Sequence, residues 1–123
     1  MATILGLGGL FFKAKRPKQL AAWYARWLGL EVAPWGGVVF QARSIPKKGY
    51  TVWMPFAAST DYFRPSRKPY MFNLMVDDLE AMLTHLGRSG VKVMKKREES
   101  EFGRFGWFLD PEGNKVELWQ PSK

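Results

Sequence analysis

The chain has 123 residues, 46% of them hydrophobic and 24% charged, the proportions of a soluble domain that buries one core rather than of a disordered or fibrous segment. It has no cysteine, which excludes disulfide staples, thiolate nucleophiles and sulfur-ligated zinc and fits a reducing cytoplasm. The formal net charge of +8 is spread along the chain, at Lys13, Lys15, Arg16 and Lys18, at Lys47 and Lys48, at Arg64, Arg67 and Lys68, and at Lys92 to Arg97, so it reads as a solvated basic surface before a nucleic-acid footprint.

The opening run from Ile4 to Lys13, large apolar residues interrupted by glycine, fits a buried strand. It is not read as a signal peptide, because the apolar run precedes the basic cluster and no cleavage site follows. No stretch approaches the roughly 20 apolar residues of a membrane span. Pro17 suits a first helical turn, and Leu20, Trp23, Tyr24, Trp27 and Leu28 mark one apolar helical face that Gly29 closes as a left-handed cap. Arg16 stands at the helix entry and offers no side-chain cap, a local defect of about 1 kcal/mol. Extended segments are expected at Leu30 to Val32, Gly37 to Ala42 and Tyr50 to Phe56, separated by turn-rich "APWGG" and "SIPKKG".

After the loop "AASTDYFRPSRKP" the order restarts. Tyr70 to Val76 reads as a strand, and Asp77 with Glu80 as a capping box ahead of a helix striped by Leu79, Met82, Leu83 and Leu86. Gly90 ends it. Val91 to Met94, Arg104 to Leu109 and Lys115 to Trp119 supply three more extended segments, the last two joined by the turn Asp110-Pro111-Glu112-Gly113, while "KKREESEFGRFGW" reads as an exposed connection whose end, "FGRFGW", could alternatively bring Phe105 and Trp107 to the cavity. "GYTVWMP" aligns without gaps on "GNKVELW", placing Trp53 over Glu117, and Gly29 falls on Gly90. The expectation is one domain spanning residues 1–123, built from two βαβββ modules, about 1–57 and 70–123, joined by the loop 58–69.

"RPKQLAAWYARWLGLEV", "MFNLMVDDLEAML" and "DPEGNKVELW" together give a pattern that resembles the vicinal oxygen chelate superfamily of glyoxalases, bleomycin-resistance proteins and extradiol dioxygenases. The resemblance implies an α+β fold in which tandem βαβββ modules form a curved mixed sheet around a cleft, often as a homodimer. In the family's metalloenzymes four side chains bind a divalent metal, and the matching positions here are Gly9, Trp53, Met71 and Glu117. A glycine, an indole and a thioether beside one carboxylate are not a donor set for such an ion, so no metal and no cofactor are expected. His85, the single histidine, lies on the second helix as a surface residue.

Strand alternation puts Lys115, Glu117 and Trp119 on the cleft face, with Met71, Asn73 and Met75, Thr51 with Trp53, and Gly9 with Phe11, while Val116 and Leu118 pack beneath the helices. Glu117 has three readings: pairing with a cation such as Arg104, contact with a ligand's amine, hydroxyl or amide, or general-base work. The candidate ligand-binding residues are Phe11, Trp53, Met71, Asn73, Trp107, Glu117, Trp119, Tyr62 and Phe63, the last two from the long central loop, where lids are commonly found. Glu117 is also the candidate catalytic residue. The leading functional expectation is a cytoplasmic, metal-independent homodimer that binds a small aromatic molecule, neutral or anionic because the surface is basic. The alternatives are a divergent lyase- or dioxygenase-type enzyme using Glu117 with Asn73 or Tyr62, and a macromolecular interaction module with a basic surface; nucleic acid and membrane are not expected partners.

Overall fold

The turn after residue 109 sets the architecture. Gly113 donates its amide to the Asp110 carbonyl at 3.0 Å and adopts φ 82°, a conformation open to glycine at little cost. The Asp110 carboxylate locks the turn, its Oδ1 accepting from the amides of Glu112 (2.9 Å) and Asn114 (3.0 Å) and its Oδ2 from Asn114 Nδ2 (2.8 Å). The chain is thereby reversed so that strand β3 (Gly103–Leu109) pairs antiparallel with strand β4 (Lys115–Pro121). β4 also pairs in parallel with β1 (Phe72–Met75), and β2 (Glu98–Ser100) adds to the far edge of β3, giving the order β1-β4-β3-β2.

This computed structural model describes residues 1–123 and adds two helices, α1 (Pro17–Leu28) and α2 (Leu79–Gly87). Alternation along β4 behaves as expected: Val116 and Leu118 join Phe72, Phe108, Leu79, Leu83 and Leu86 in the core between sheet and α2. Each such side chain contributes about 1.5–3 kcal/mol on burial. Gly106 lets α2 sit close, because a Cβ there would lie 2.6 Å from Leu83 Cδ1. From α1, Trp23 and Trp27 pack against this core, and Tyr24 donates its hydroxyl to Asp110 Oδ2 at 2.8 Å, tying the helix to the turn. His85 is partly exposed, with its ring 5.0 Å from that of Trp27.

The α2 entry departs from expectation by one residue, while Arg16 leaves α1 without a side-chain cap as expected. α2 is capped by Asp78, whose side chain accepts from the Ala81 amide at 3.1 Å, and Glu80 pairs with Arg97 at 2.8 Å; Asp77 is left exposed outside. α1 has no cap from its own neighbours, but the Glu112 carboxylate reaches across from the hairpin turn and accepts from the amides of Lys15 (2.7 Å) and Arg16 (2.9 Å). These two bonds hold the Glu112 carboxyl below the ordinary carboxylate range.

The α+β class, both helices and three of the four second-half segments follow the sequence reading; Val91 to Met94 forms only an isolated bridge, Val93 to Phe108, and the segment expected as an exposed connection contributes β2. The first half does not form a ladder. Ile4 to Lys13, Leu30 to Val32 and Tyr50 to Phe56 pair with no strand, and a short 3-10 turn (Ala42–Ser44) follows Gly37 to Gln41. Apolar alternation specifies an extended segment, but a strand exists only where another backbone takes its N–H and C=O groups, and none within this chain does so here. Three aromatics still anchor this half to the sheet region: Phe12 lies 4.6 Å from Phe72, Tyr50 4.9 Å from Trp119 and Phe56 5.5 Å from Tyr62, centroid to centroid.

Candidate functional site

Strand register assembles the site. Asn73 of β1 and Trp107 of β3 lie directly opposite Glu117 of β4, one on each side, so the three side chains form a row across the sheet on the face away from α2. Glu117 is only 8% exposed. Its Oε1 accepts from Asn73 Nδ2 at 2.7 Å, and its Oε2 from Trp107 Nε1 at 2.9 Å and from the Tyr62 hydroxyl at 2.5 Å. The cationic pairing expected with Arg104 does not occur, because Arg104 stands opposite Gln120 on the exposed part of β3 and three neutral donors satisfy the carboxylate instead.

Tyr62 comes from the long loop before β1 and is partly buried among aromatic rings. Its ring stacks on Phe56 with centroids 5.5 Å apart and planes 10° from parallel, and meets Trp107 edge-on at 6.4 Å. Lys115 Nζ lies 5.2 Å from the Tyr62 centroid and 5.6 Å from that of Trp107, and donates to the Tyr62 carbonyl at 2.6 Å. Burial, followed by the hydrogen bond to Glu117, pushes the Tyr62 hydroxyl well above its ordinary pKa, so it stays a neutral donor. Burial also pulls the Lys115 ammonium below its usual range, against the opposing pull of Glu117.

The structure thus brings Asn73, Trp107, Glu117 and Tyr62 into one hydrogen-bonded cluster. Phe63 is next to it, packed on Phe56 at 5.0 Å. Met71 shares the Asn73 face of the chain just ahead of β1 and is partly buried. Trp119 is buried two residues along β4, where its indole N–H donates to the Phe102 carbonyl at 2.8 Å and its ring lies parallel to Phe105. Phe11 and Trp53 stand apart, 94% and 79% exposed in the unpaired first half. Lys115, expected on the same face as Glu117 but not among the ligand-binding candidates, and Phe56, not expected at the site, also belong to the cluster. Lys115 was legible, since it is two residues from Glu117 on the same face; Phe56 was not, because nothing local ties its ring to Tyr62.

Glu117 is the single metal-type donor among the four inherited ligand positions, and its oxygens are already engaged by Asn73, Trp107 and Tyr62. No group of three or more His, Cys, Asp or Glu side chains comes close enough to hold an ion. These residues do not fit the divalent metal of the superfamily's enzymes. A surface hollow of about 500 Å³, lined by Lys15, Arg16, Lys68, Pro111 and Glu112, includes none of the cluster.

A curved mixed sheet with a carboxylate at the centre of its last strand defines a class, and comparison with known proteins agrees. The family model described as a glyoxalase-like domain matches residues 9–119. The chain belongs to this family, within the vicinal oxygen chelate superfamily. Among solved structures, TnmS3, an antibiotic binding protein from a Streptomyces species, is 20% identical over 89% of this chain and 88% of its own, with a TM-score of 0.50. A member of the glyoxalase/bleomycin resistance protein/dioxygenase superfamily from Sphaerobacter thermophilus is 32% identical but aligns over 40% of each chain, with a TM-score of 0.36. A glyoxalase/bleomycin resistance protein from a Streptomyces species is 35% identical over 40% of this chain and 42% of its own, also at 0.36. This chain therefore covers well under half of either of those two proteins. No curated protein matches the chain.

Proposed function

We propose that the protein binds a small aromatic molecule, neutral or anionic, on the Glu117 face of the sheet, without a metal ion and without chemical turnover. The observation that carries this reading is the composition of the site. One buried carboxylate is surrounded by Trp107, Tyr62 and Phe56, with Lys115 above the Tyr62 and Trp107 rings and Lys96 5.7 Å from the Trp107 centroid. Aromatic walls with a few convergent polar groups are the usual make-up of a site for a planar organic ligand. A fold shared with a protein described as antibiotic binding supports the same direction. General-base work by Glu117 has less support, since three of a carboxylate's roughly four acceptor positions are already taken.

The rest of the reading concerns assembly. The protein acts as a homodimer in the cytoplasm, with neither nucleic acid nor membrane as partner; no helix is long and apolar enough to cross a membrane. Residues 1–57 and 70–123 are the two modules of one domain. Support for self-association comes from the apolar side chains exposed along the first half, among them Leu5, Phe11, Val52 and Trp53, which a second copy would cover. A thermal-shift screen with aromatic natural products tests the function: hits that vanish in Glu117→Gln support it, and a screen without hits on protein shown by light scattering to be dimeric overturns it.

A further inference from the structure

The Tyr62 side chain has the surroundings expected of a bound ligand. It is a phenol stacked face to face on Phe56, set edge-on to Trp107, covered by the Lys115 ammonium and bonded through its hydroxyl to Glu117. Of the three donors on Glu117, Asn73 and Trp107 are fixed in register on β1 and β3, whereas Tyr62 alone comes from a loop. The backbone hydrogen bonds of that loop close within it: Thr60 N to Ala57 O, Arg64 N to Asp61 O and Ser66 N to Phe63 O, each 3.0 Å. Between the loop around Tyr62 and the sheet stand two hydrogen bonds, the hydroxyl to Glu117 and the carbonyl from Lys115. Withdrawing Tyr62 therefore breaks no ladder, yet leaves an aromatic slot with an acceptor at its end.

We propose that Tyr62 is a built-in occupant of the binding site, displaced by the ligand, and that the ligand is a neutral phenol whose hydroxyl replaces that of Tyr62 on Glu117. This rests on the functional reading above and adds the ligand's chemical class and the device that regulates access. A phenolate is disfavoured because Glu117 can only accept, and a charged oxygen would face it without a proton. An aromatic hydrocarbon fills the slot but leaves the acceptor short of a partner, which costs affinity. Because a closed plug lowers apparent affinity by the fraction of open sites, removing it tightens binding even though a contact residue is lost.

The test is calorimetric titration of 4-methylphenol and toluene into wild type and Tyr62→Gly. Expected is binding of 4-methylphenol at least about tenfold tighter to Tyr62→Gly than to wild type, with toluene much weaker on the variant. Equal affinity of the two proteins for 4-methylphenol overturns the plug while leaving an aromatic site intact. Equal affinity of the variant for 4-methylphenol and toluene overturns the phenol assignment alone. Absence of any aromatic binding to either protein overturns this proposal and the functional reading together. Should Tyr62→Gly fail to fold, Tyr62→Phe carries the test: it keeps the ring, removes the bond to Glu117 and is expected to bind 4-methylphenol several-fold tighter than wild type, with unchanged or weaker binding overturning the proposal.

Discussion

The two halves of the chain carry similar sequence patterns and reach different states. From Phe72 to Pro121 every extended segment of the main sheet has a backbone partner, and the side chains between sheet and α2 are fully buried. From Met1 to Phe56 helix α1 forms and docks, but the extended segments around it pair with no strand and leave Phe11 and Trp53 in the open. A helix satisfies its own backbone, whereas a strand depends on a neighbour. Equal apolar alternation therefore gives unequal structure when only one half supplies its own partners. β4 illustrates this: it follows a locked turn, which brings β3 alongside, and its other edge is free to receive β1.

If stability resides in the second half, truncations there must dominate. Phe108→Ala removes a completely buried ring and is expected to destabilise by roughly 3–5 kcal/mol in urea unfolding, whereas Trp53→Ala should change unfolding of the monomer by less than about 0.5 kcal/mol and weaken self-association instead. A large loss from Trp53→Ala in dilute, monomeric protein would break the contrast. Glu117→Gln comes next. The amide still accepts from two donors but turns its own NH2 toward Asn73, Trp107 or Tyr62, and a loss of about 1–3 kcal/mol is expected, together with loss of aromatic hits in a thermal-shift screen.

Smaller effects probe how α1 is attached. Tyr24→Phe should cost about 1 kcal/mol by removing its bond to Asp110. The Tyr24 hydroxyl is pushed far above its ordinary value of 10.0, by burial first and the Asp110 charge second. Its stabilisation is thus complete below pH 10 and declines as pH rises above it, because the unfolded chain ionises first. Unfolding midpoints measured upward from pH 9 should fall less steeply in Tyr24→Phe. Smallest of all is Glu112→Gln. With the Glu112 carboxyl held low by two backbone amides, its contribution is present above the unfolded value of 4.5 and lost as pH falls through the folded one. Wild type and variant should therefore differ slightly at pH 7 and converge as the pH is taken below 4.5 and through the lowered folded value, as read by amide exchange at Lys15 and Arg16.

Much of this molecule was written locally. Period-3.6 apolar spacing located α1 and α2, period-2 spacing sorted Val116 and Leu118 from Glu117, and the Asp-Pro-Glu-Gly turn announced the β3–β4 hairpin. The capping residue of α2 was misplaced by one position, from Asp77 to Asp78, because either aspartate satisfies the local pattern and only the helix start chooses between them. The remote capping of α1 by Glu112 had no local signal at all.

The sequence by itself determined that one carboxylate would sit among aromatics on the open face of a final strand, since the alternation of β4 and the residue types around it are properties of the chain. Tertiary structure alone decided what that carboxylate holds. Strand register chose Asn73 and Trp107 as its neighbours, and a loop with few ties to the sheet brought the Tyr62 hydroxyl to it. Register and loop placement depend on contacts between residues distant in the chain, and no periodicity encodes those.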